Sequence, residues 1–252
     1  MKVRAGVEIA SLTDVGCQRE NNEDSFRYWE PDEDSVFARL GRMAVIADGM
    51  GGAEGGQFAS RIAVESVQEL YSSSDPSDPQ QRLVSAMHLA NSRVLERARK
   101  EPALHGMGTT LTALAIVDSS LYFAHTGDSR LYLIRKGSIR PLTRDHSLVA
   151  RLVESGVIRP EEADKHPQRH VLTAAVGVTD VIEPDVPPEP VLLEKNDVLL
   201  LCTDGLWGQM SESEIAQTIS SHNIEDAARA LVQLAKDHGG PDNITLQILR
   251  ID

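Results

Sequence analysis

Three apolar runs, residues 111–117, 121–125 and 131–135, follow one another with only a few residues between them. They are rich in leucine and β-branched side chains, the composition of strands. Gaps this short suit antiparallel hairpins, because a parallel crossover consumes a dozen or more residues. Similar runs lie at 43–47, 198–202 and 244–251. The last alternates Ile244, Leu246 and Ile248 with Thr245 and Gln247, the period of a half-buried strand.

Between these runs lie stretches of helical period. Gly56 to Tyr71 places Ala59, Ala63, Val67 and Leu70 on one face, with Phe58 and Ile62 beside them. Pro79 to Lys100 aligns Leu83, Met87, Ala90, Val94 and Ala98. Pro79 suits a first helical turn, and the Ser/Asp/Pro-rich stretch from Ser72 to Pro79 reads as the loop between the two helices. A late helix follows Ser211, which has Glu214 for a capping box. Another follows Asn223, carries Ala227, Leu231 and Leu234, and stops at Gly239-Gly240 before Pro241. Grouped strands with separate helices predict an α+β fold, a β-sandwich with helices packed outside it. The stretch from Ser147 to about Gly177 interrupts the strand series with short helical pieces and reads as a flap. The length of 252 residues suits one domain spanning 1–252.

Charge narrows the function. The net charge of −13 repels nucleic acid and anionic membrane surfaces, and no apolar run reaches the length of a membrane span. The two cysteines, Cys17 and Cys202, are too few for a disulfide scaffold, and a soluble cytoplasmic protein is expected. Neither is followed six residues later by arginine, since Glu23 and Gly208 stand there. A cysteine-dependent phosphatase loop is therefore absent. Both cysteines read as small packed side chains.

Four aspartates share a setting. Asp48, Asp128 and Asp204 follow apolar runs, and Asp242 precedes the last one. In an antiparallel sheet the end of one strand and the start of its neighbour lie at the same edge, so all four can meet on one rim. Like charges there raise one another's pKa unless a cation is present. Asp48, Asp128 and Asp204 each adjoin a glycine, which lets a backbone carbonyl come close to a cation. A donor set made of oxygen favours Mg2+ or Mn2+ over zinc. His166 and His170 have tempting spacing, but Pro167 between them argues against a helical metal pair, and both read as ordinary flap residues. His125 and His146 are expected to make local hydrogen bonds. Arg19 is the one basic residue in the acid-rich stretch from Thr13 to Ser25, and its guanidinium fork is suited to gripping phosphate.

These motifs together resemble the protein phosphatase 2C family, in its compact bacterial branch. They are Asp14-x-Gly16-x-x-Arg19-x-x-Asn22-Glu23-Asp24, Ala47-Asp48-Gly49-Met50-Gly51-Gly52, Gly108-Thr109-Thr110, Gly127-Asp128-Ser129-Arg130, His166-Pro167-Gln168-Arg169, Cys202-Thr203-Asp204-Gly205-Leu206 and Gly240-Pro241-Asp242-Asn243-Ile244-Thr245. The resemblance implies a four-layer αββα sandwich and a metal-dependent serine/threonine phosphatase using Mn2+ or Mg2+, two bound tightly and a third more weakly. It implies that Asp48 bridges two metals, that the Gly49 carbonyl binds one of them, and that Asp204 and Asp242 complete the second. Asp128 would hold the third, Glu23 would act through water, Arg19 would hold the substrate phosphate, and Asp24 and Asn243 would support the ligands. A hydroxide bridging the metals would attack phosphorus in line. Met50 stands where eukaryotic members commonly carry histidine, so a metal-bound water becomes the implied acid. Bacterial members usually carry arginine where Ala174 or Ala175 stands, which touches flap contacts with substrate. The implied partners are phosphorylated proteins and a serine/threonine kinase, and a monomer is expected. The rival readings are a catalytically weak phosphoprotein-binding regulator and a hydrolase of small phosphoesters.

Overall fold

The computed structural model describes residues 3–51, 55–73, 78–163 and 166–252. Gly52 and residues 74–77 of the expected loop lie outside them. In chain order the elements are β1 (Val7–Asp14), β2 (Asp24–Trp29), α1 (Asp34–Leu40), β3 (Arg42–Met50), α2 (Gly55–Tyr71), α3 (Pro79–Lys100), β4 (Gly108–Thr109), β5 (Leu111–Val117), β6 (Ser120–Thr126), β7 (Arg130–Arg135) and β8 (Ser138–Pro141). They continue with α4 (Leu148–Glu154), α5 (Pro160–Ala163), β9 (Val191–Leu192), β10 (Val198–Cys202), α6 (Asp204–Trp207), α7 (Glu212–Ser221), α8 (Ile224–Asp237) and β11 (Ile244–Ile251).

One antiparallel sheet has the order β1-β11-β10-β7-β8, and the other runs β2-β3-β5-β6-β9 with β4 paired to β3. Alternate residues of each central strand explain the layers. Ala44 and Ile46 of β3 and Leu199 and Leu201 of β10 meet in the core between the sheets. Met43, Val45 and Ala47 face α2 and α3 instead. Leu200 and Cys202 face the apolar side of α7 and α8. A strand buried on both faces reads as a continuous apolar run, which is why these strands were legible. The result is the expected four-layer αββα sandwich. Ser211 and Glu214 form the expected capping box on α7, and the Asn223 side chain caps α8.

Two expectations change. The strand at 43–47 continues to Met50, so Asp48 lies within β3 and not beyond its end. Asp24 pairs with Asp48 and Thr109 with Gly49, and these polar partners extend the ladder past the apolar run. Cys17 is exposed, whereas Cys202 is buried as expected. Strands β1 and β2 and helix α1 interleave apolar with polar residues and carry no long apolar run, and the pattern did not mark them.

Register brings the rim together. Asp14 at the end of β1 opposes Ile244 at the start of β11, and Cys202 at the end of β10 opposes both Leu246 and Arg130. In the second sheet Asp24 begins β2, and Thr126 ends β6 opposite Leu111. The loops bearing Asp128, Asp204 and Asp242 leave this one end.

Candidate active site

Asp48 projects from β3, Asp204 opens the single-turn helix α6, Asp242 precedes β11, and Asp128 sits in the turn between β6 and β7. Their closeness is recorded in their electrostatics. Burial pushes the Asp48 carboxyl well above the ordinary range, and Asp24, Asp204, Asp128 and Asp242 push it further. Burial, then Asp204 and Asp145, raise Asp128 to about 8, against an opposing pull from Arg130. Burial raises Asp24 to about 7, although hydrogen bonds from threonine hydroxyls oppose the shift. Asp204 and Glu23 are raised too, first by burial and also by Asp242. A fold gathers mutually repelling acids at a cost unless a cation compensates them.

The donor set fits hard divalent cations. It is made of carboxylate oxygens, and Oδ1 of Asp204 and Oδ1 of Asp24 are buried without a hydrogen-bond partner. Among the described residues no three His, Cys, Asp or Glu side chains close on a single point. Asp242 is engaged instead by Arg19, whose Nη2 donates to Oδ2 at 2.7 Å.

The backbone around the acids is held tightly. Thr110 Oγ1 accepts from the Asp48 amide at 2.8 Å and contacts Ser129 Oγ at 2.7 Å, while Thr109 Oγ1 donates to the Asp48 carbonyl at 2.8 Å. Thr203 Oγ1 donates to Asp24 at 2.9 Å. Asn243 accepts from the Glu23 amide at 2.8 Å and donates to the carbonyls of Val15 and Asn21, both at 2.9 Å. The glycines serve close approach. A Cβ on Gly49 would overlap the Gly56 carbonyl, and one on Gly205 would overlap that of Asn243. Both residues allow two backbone segments to touch beside an aspartate.

Sequence reasoning missed Trp207. Its indole N–H donates to the Asp128 carbonyl at 2.9 Å, and the Arg130 guanidinium stacks on its ring with 3.6 Å to the centroid. Trp207 lies one helical turn after Asp204, so α6 links the Asp204 and Asp128 positions. Arg130 in turn grips Asp145 through two bonds of 2.9 and 2.7 Å. His125 makes the expected local contacts, to Thr112 at 2.8 Å and to the Arg144 carbonyl at 3.0 Å. His146 likewise accepts from the Gly127 amide at 3.3 Å. His170 departs from expectation, because its Nδ1 stands 3.9 Å from Asp204 Oδ2.

Comparison with known proteins identifies the family and agrees with the fold. The family model described as protein phosphatase 2C matches residues 17–237. Protein phosphatase PhpP of Streptococcus pneumoniae is 38% identical over 251 residues, covering 98% of each chain. The crystal structure of the Mycobacterium tuberculosis serine/threonine phosphatase PstP/Ppp superposes with a TM-score of 0.87 at 33% identity, covering 98% of this chain and 99% of that one. The catalytic domain of PstP in complex with two manganese ions gives a TM-score of 0.84 at 32% identity, covering 98% and 99%. The chain belongs to the protein phosphatase 2C family.

Proposed function

We propose that this chain is a metal-dependent phosphatase that removes phosphate from phosphoserine and phosphothreonine in proteins. The observation that carries the reading is the set of buried, mutually repelling aspartates at one rim, two of them with an unbonded buried oxygen. Asp48, the Gly49 carbonyl, Asp204 and Asp242 are assigned to two Mn2+ or Mg2+ ions. Asp128, with Asp204, is assigned to a weaker third, and Glu23 acts through water. Such cations supply Lewis acidity and lower the pKa of water.

The protein's own groups do the rest. Arg19 has a half-exposed side chain, so its guanidinium is free to exchange the Asp242 carboxylate for a substrate phosphoryl group and hold it in two-point contact. Its place beside Glu23 and Asp48 sets that phosphoryl group over the carboxylates. Thr109 and Thr110 hold the Asp48 backbone in place, Thr203 holds the Asp24 carboxylate, and Asn243 fixes Glu23 by its amide. Met50 at the end of β3 donates no proton to a leaving alkoxide, so that proton comes from water in the open site.

The chain acts as one catalytic domain over residues 1–252, with a flap at about 147–177. The proposed location is cytoplasmic, where a chain with two cysteines and no disulfide framework fits; among the described residues no helix is long and apolar enough to cross a membrane. The proposed partners are phosphoproteins, including a serine/threonine kinase and its targets, met by a monomer. The test is hydrolysis of a phosphothreonine peptide compared with nucleotides. Peptide turnover that requires Mn2+, stops in EDTA and is lost in Asp204→Asn supports the reading. Preference for nucleotides, or metal-independent turnover, overturns it.

A further inference from the structure

We propose that His170 is a protein ligand to the cation held at Asp204, and that its imidazole makes this position favour Mn2+ over Mg2+. The inference rests on the assignment of Asp204 to a metal given above. Two described histidines stand within 4 Å of a carboxylate, His146 beside Asp185 at 3.3 Å and His170 beside Asp204 at 3.9 Å. The first has its other ring nitrogen occupied by the Gly127 amide. The second faces an acid of the site.

The separation is informative. A charge-assisted hydrogen bond between nitrogen and carboxylate measures about 2.7–2.9 Å, and 3.9 Å is too long for one. Two metal–ligand bonds of about 2.1 Å each span up to ~4.2 Å, so one cation can bridge this pair. The imidazole is about two-thirds exposed, so packing does not claim it for the core. Oδ1 of the same Asp204 is buried and unbonded.

The backbone fixes His170 where it stands. The Leu148 amide donates to the Val171 carbonyl at 2.8 Å, the Thr173 amide donates to the His146 carbonyl at 2.8 Å, and Ser147 bridges Leu172. The His146 amide donates to the Gly127 carbonyl at 2.7 Å. Residues 171–173 are thus tied, through His146, to the turn that carries Asp128, and His170 immediately precedes them. The flap places a nitrogen donor against a site otherwise built of oxygen. Oxygen donors suit Mg2+ and Mn2+ alike, whereas imidazole suits transition metals.

Pulsed electron paramagnetic resonance of the Mn2+-loaded full chain tests this directly, because a bound imidazole adds 14N coupling to the Mn2+ signal. The coupling is expected in the wild type and in His166→Ala, and should vanish in His170→Ala and His170→Asn. In calorimetric titrations with each metal, His170→Ala should lose about tenfold in Mn2+ affinity at one site and much less in Mg2+ affinity. Mn2+ that binds in an Asp204-dependent way but shows no 14N coupling in the wild type overturns the role of His170 and leaves the carboxylate assignment standing. Coupling that persists in His170→Ala overturns it equally. Failure of the wild type to bind Mn2+ at all overturns both this inference and the metal reading beneath it.

Discussion

Two aspartates bracket strand β10, and they are treated in opposite ways. Asp197, just before the strand, is 1% exposed. It accepts from Arg135 Nε at 2.8 Å and Nη2 at 2.6 Å, and from the Glu194 amide at 2.7 Å. Asp204, just after the strand, has a buried oxygen with no partner and an acidic neighbour in Asp242. The protein compensates the first acid with its own guanidinium. At the other end it supplies more acids. A fold that can pair a buried carboxylate at one end of a strand and leaves several uncompensated at the other is arranged to take its cations from solution.

Breaking each end should therefore have opposite signatures. The largest effect expected is on catalysis at the rim. Asp48→Asn should cut metal-supported peptide hydrolysis by about a thousandfold, at the upper end of what loss of one electrostatic catalytic group costs. The same substitution should raise the melting temperature of the metal-free protein, because asparagine is neutral at this buried position, whereas the Asp48 carboxyl must take up a proton to be neutral beside its acidic neighbours. A metal-free variant that melts lower than wild type would contradict this picture of the rim.

At the opposite end, Asp197→Ala should destabilise the fold by about 1–3 kcal/mol, since it leaves the Glu194 amide without its acceptor and removes two bonds of Arg135, which keeps those to Glu194 and the Leu192 carbonyl. Urea unfolding measures this, and the metal requirement of the remaining folded enzyme should not change. A variant with altered metal dependence would dissolve the distinction between the two ends.

Next in size is a pH effect. Asp24 and Asp128 titrate near 7 and 8 in the folded protein, against about 3.9 in an unfolded chain. The folded state therefore binds more protons between these values, and stability falls as pH rises through that window. Melting of the metal-free protein should drop steadily from about pH 5 to pH 8. Saturating Mn2+ should flatten the slope and add about 2.7 kcal/mol at a hundredfold excess over Kd. A metal-free melting temperature that climbs over the same window would mean that the acids are not coupled as the geometry indicates.

The smallest effect sharpens the account of positioning. Trp207→Phe keeps the ring that carries Arg130 but removes the bond to the Asp128 carbonyl. It should weaken one metal site by about tenfold with little change in fold stability. Unchanged metal affinity would mean that α6 does not set the Asp128 turn.

Legibility in the sequence followed burial. Strands β3, β5, β10 and β11 are buried on both faces, so hydrophobicity alone marks them. Strands β1 and β2 are largely half-buried and have polar residues where the middle strands have apolar ones. The same weakness hid the last residues of β3, whose partners Asp24 and Thr109 are polar. Asp48, Asp128 and Asp204 were visible as acids beside glycine, and Asp242 as an acid just before the last strand, all at the borders of apolar runs. Trp207 and His170 were not, because their contacts depend on how a one-turn helix and a flap sit over the rim. Local pattern carries no record of that placement.

Anomalous diffraction from crystals soaked in Mn2+ tests the central claim most directly. The account predicts two strong peaks at the rim, both in contact with Asp48 and one with Asp204 and Asp242, and a weaker third beside Asp128. Peaks confined to other acidic surfaces, with the rim carboxylates untouched, would contradict it.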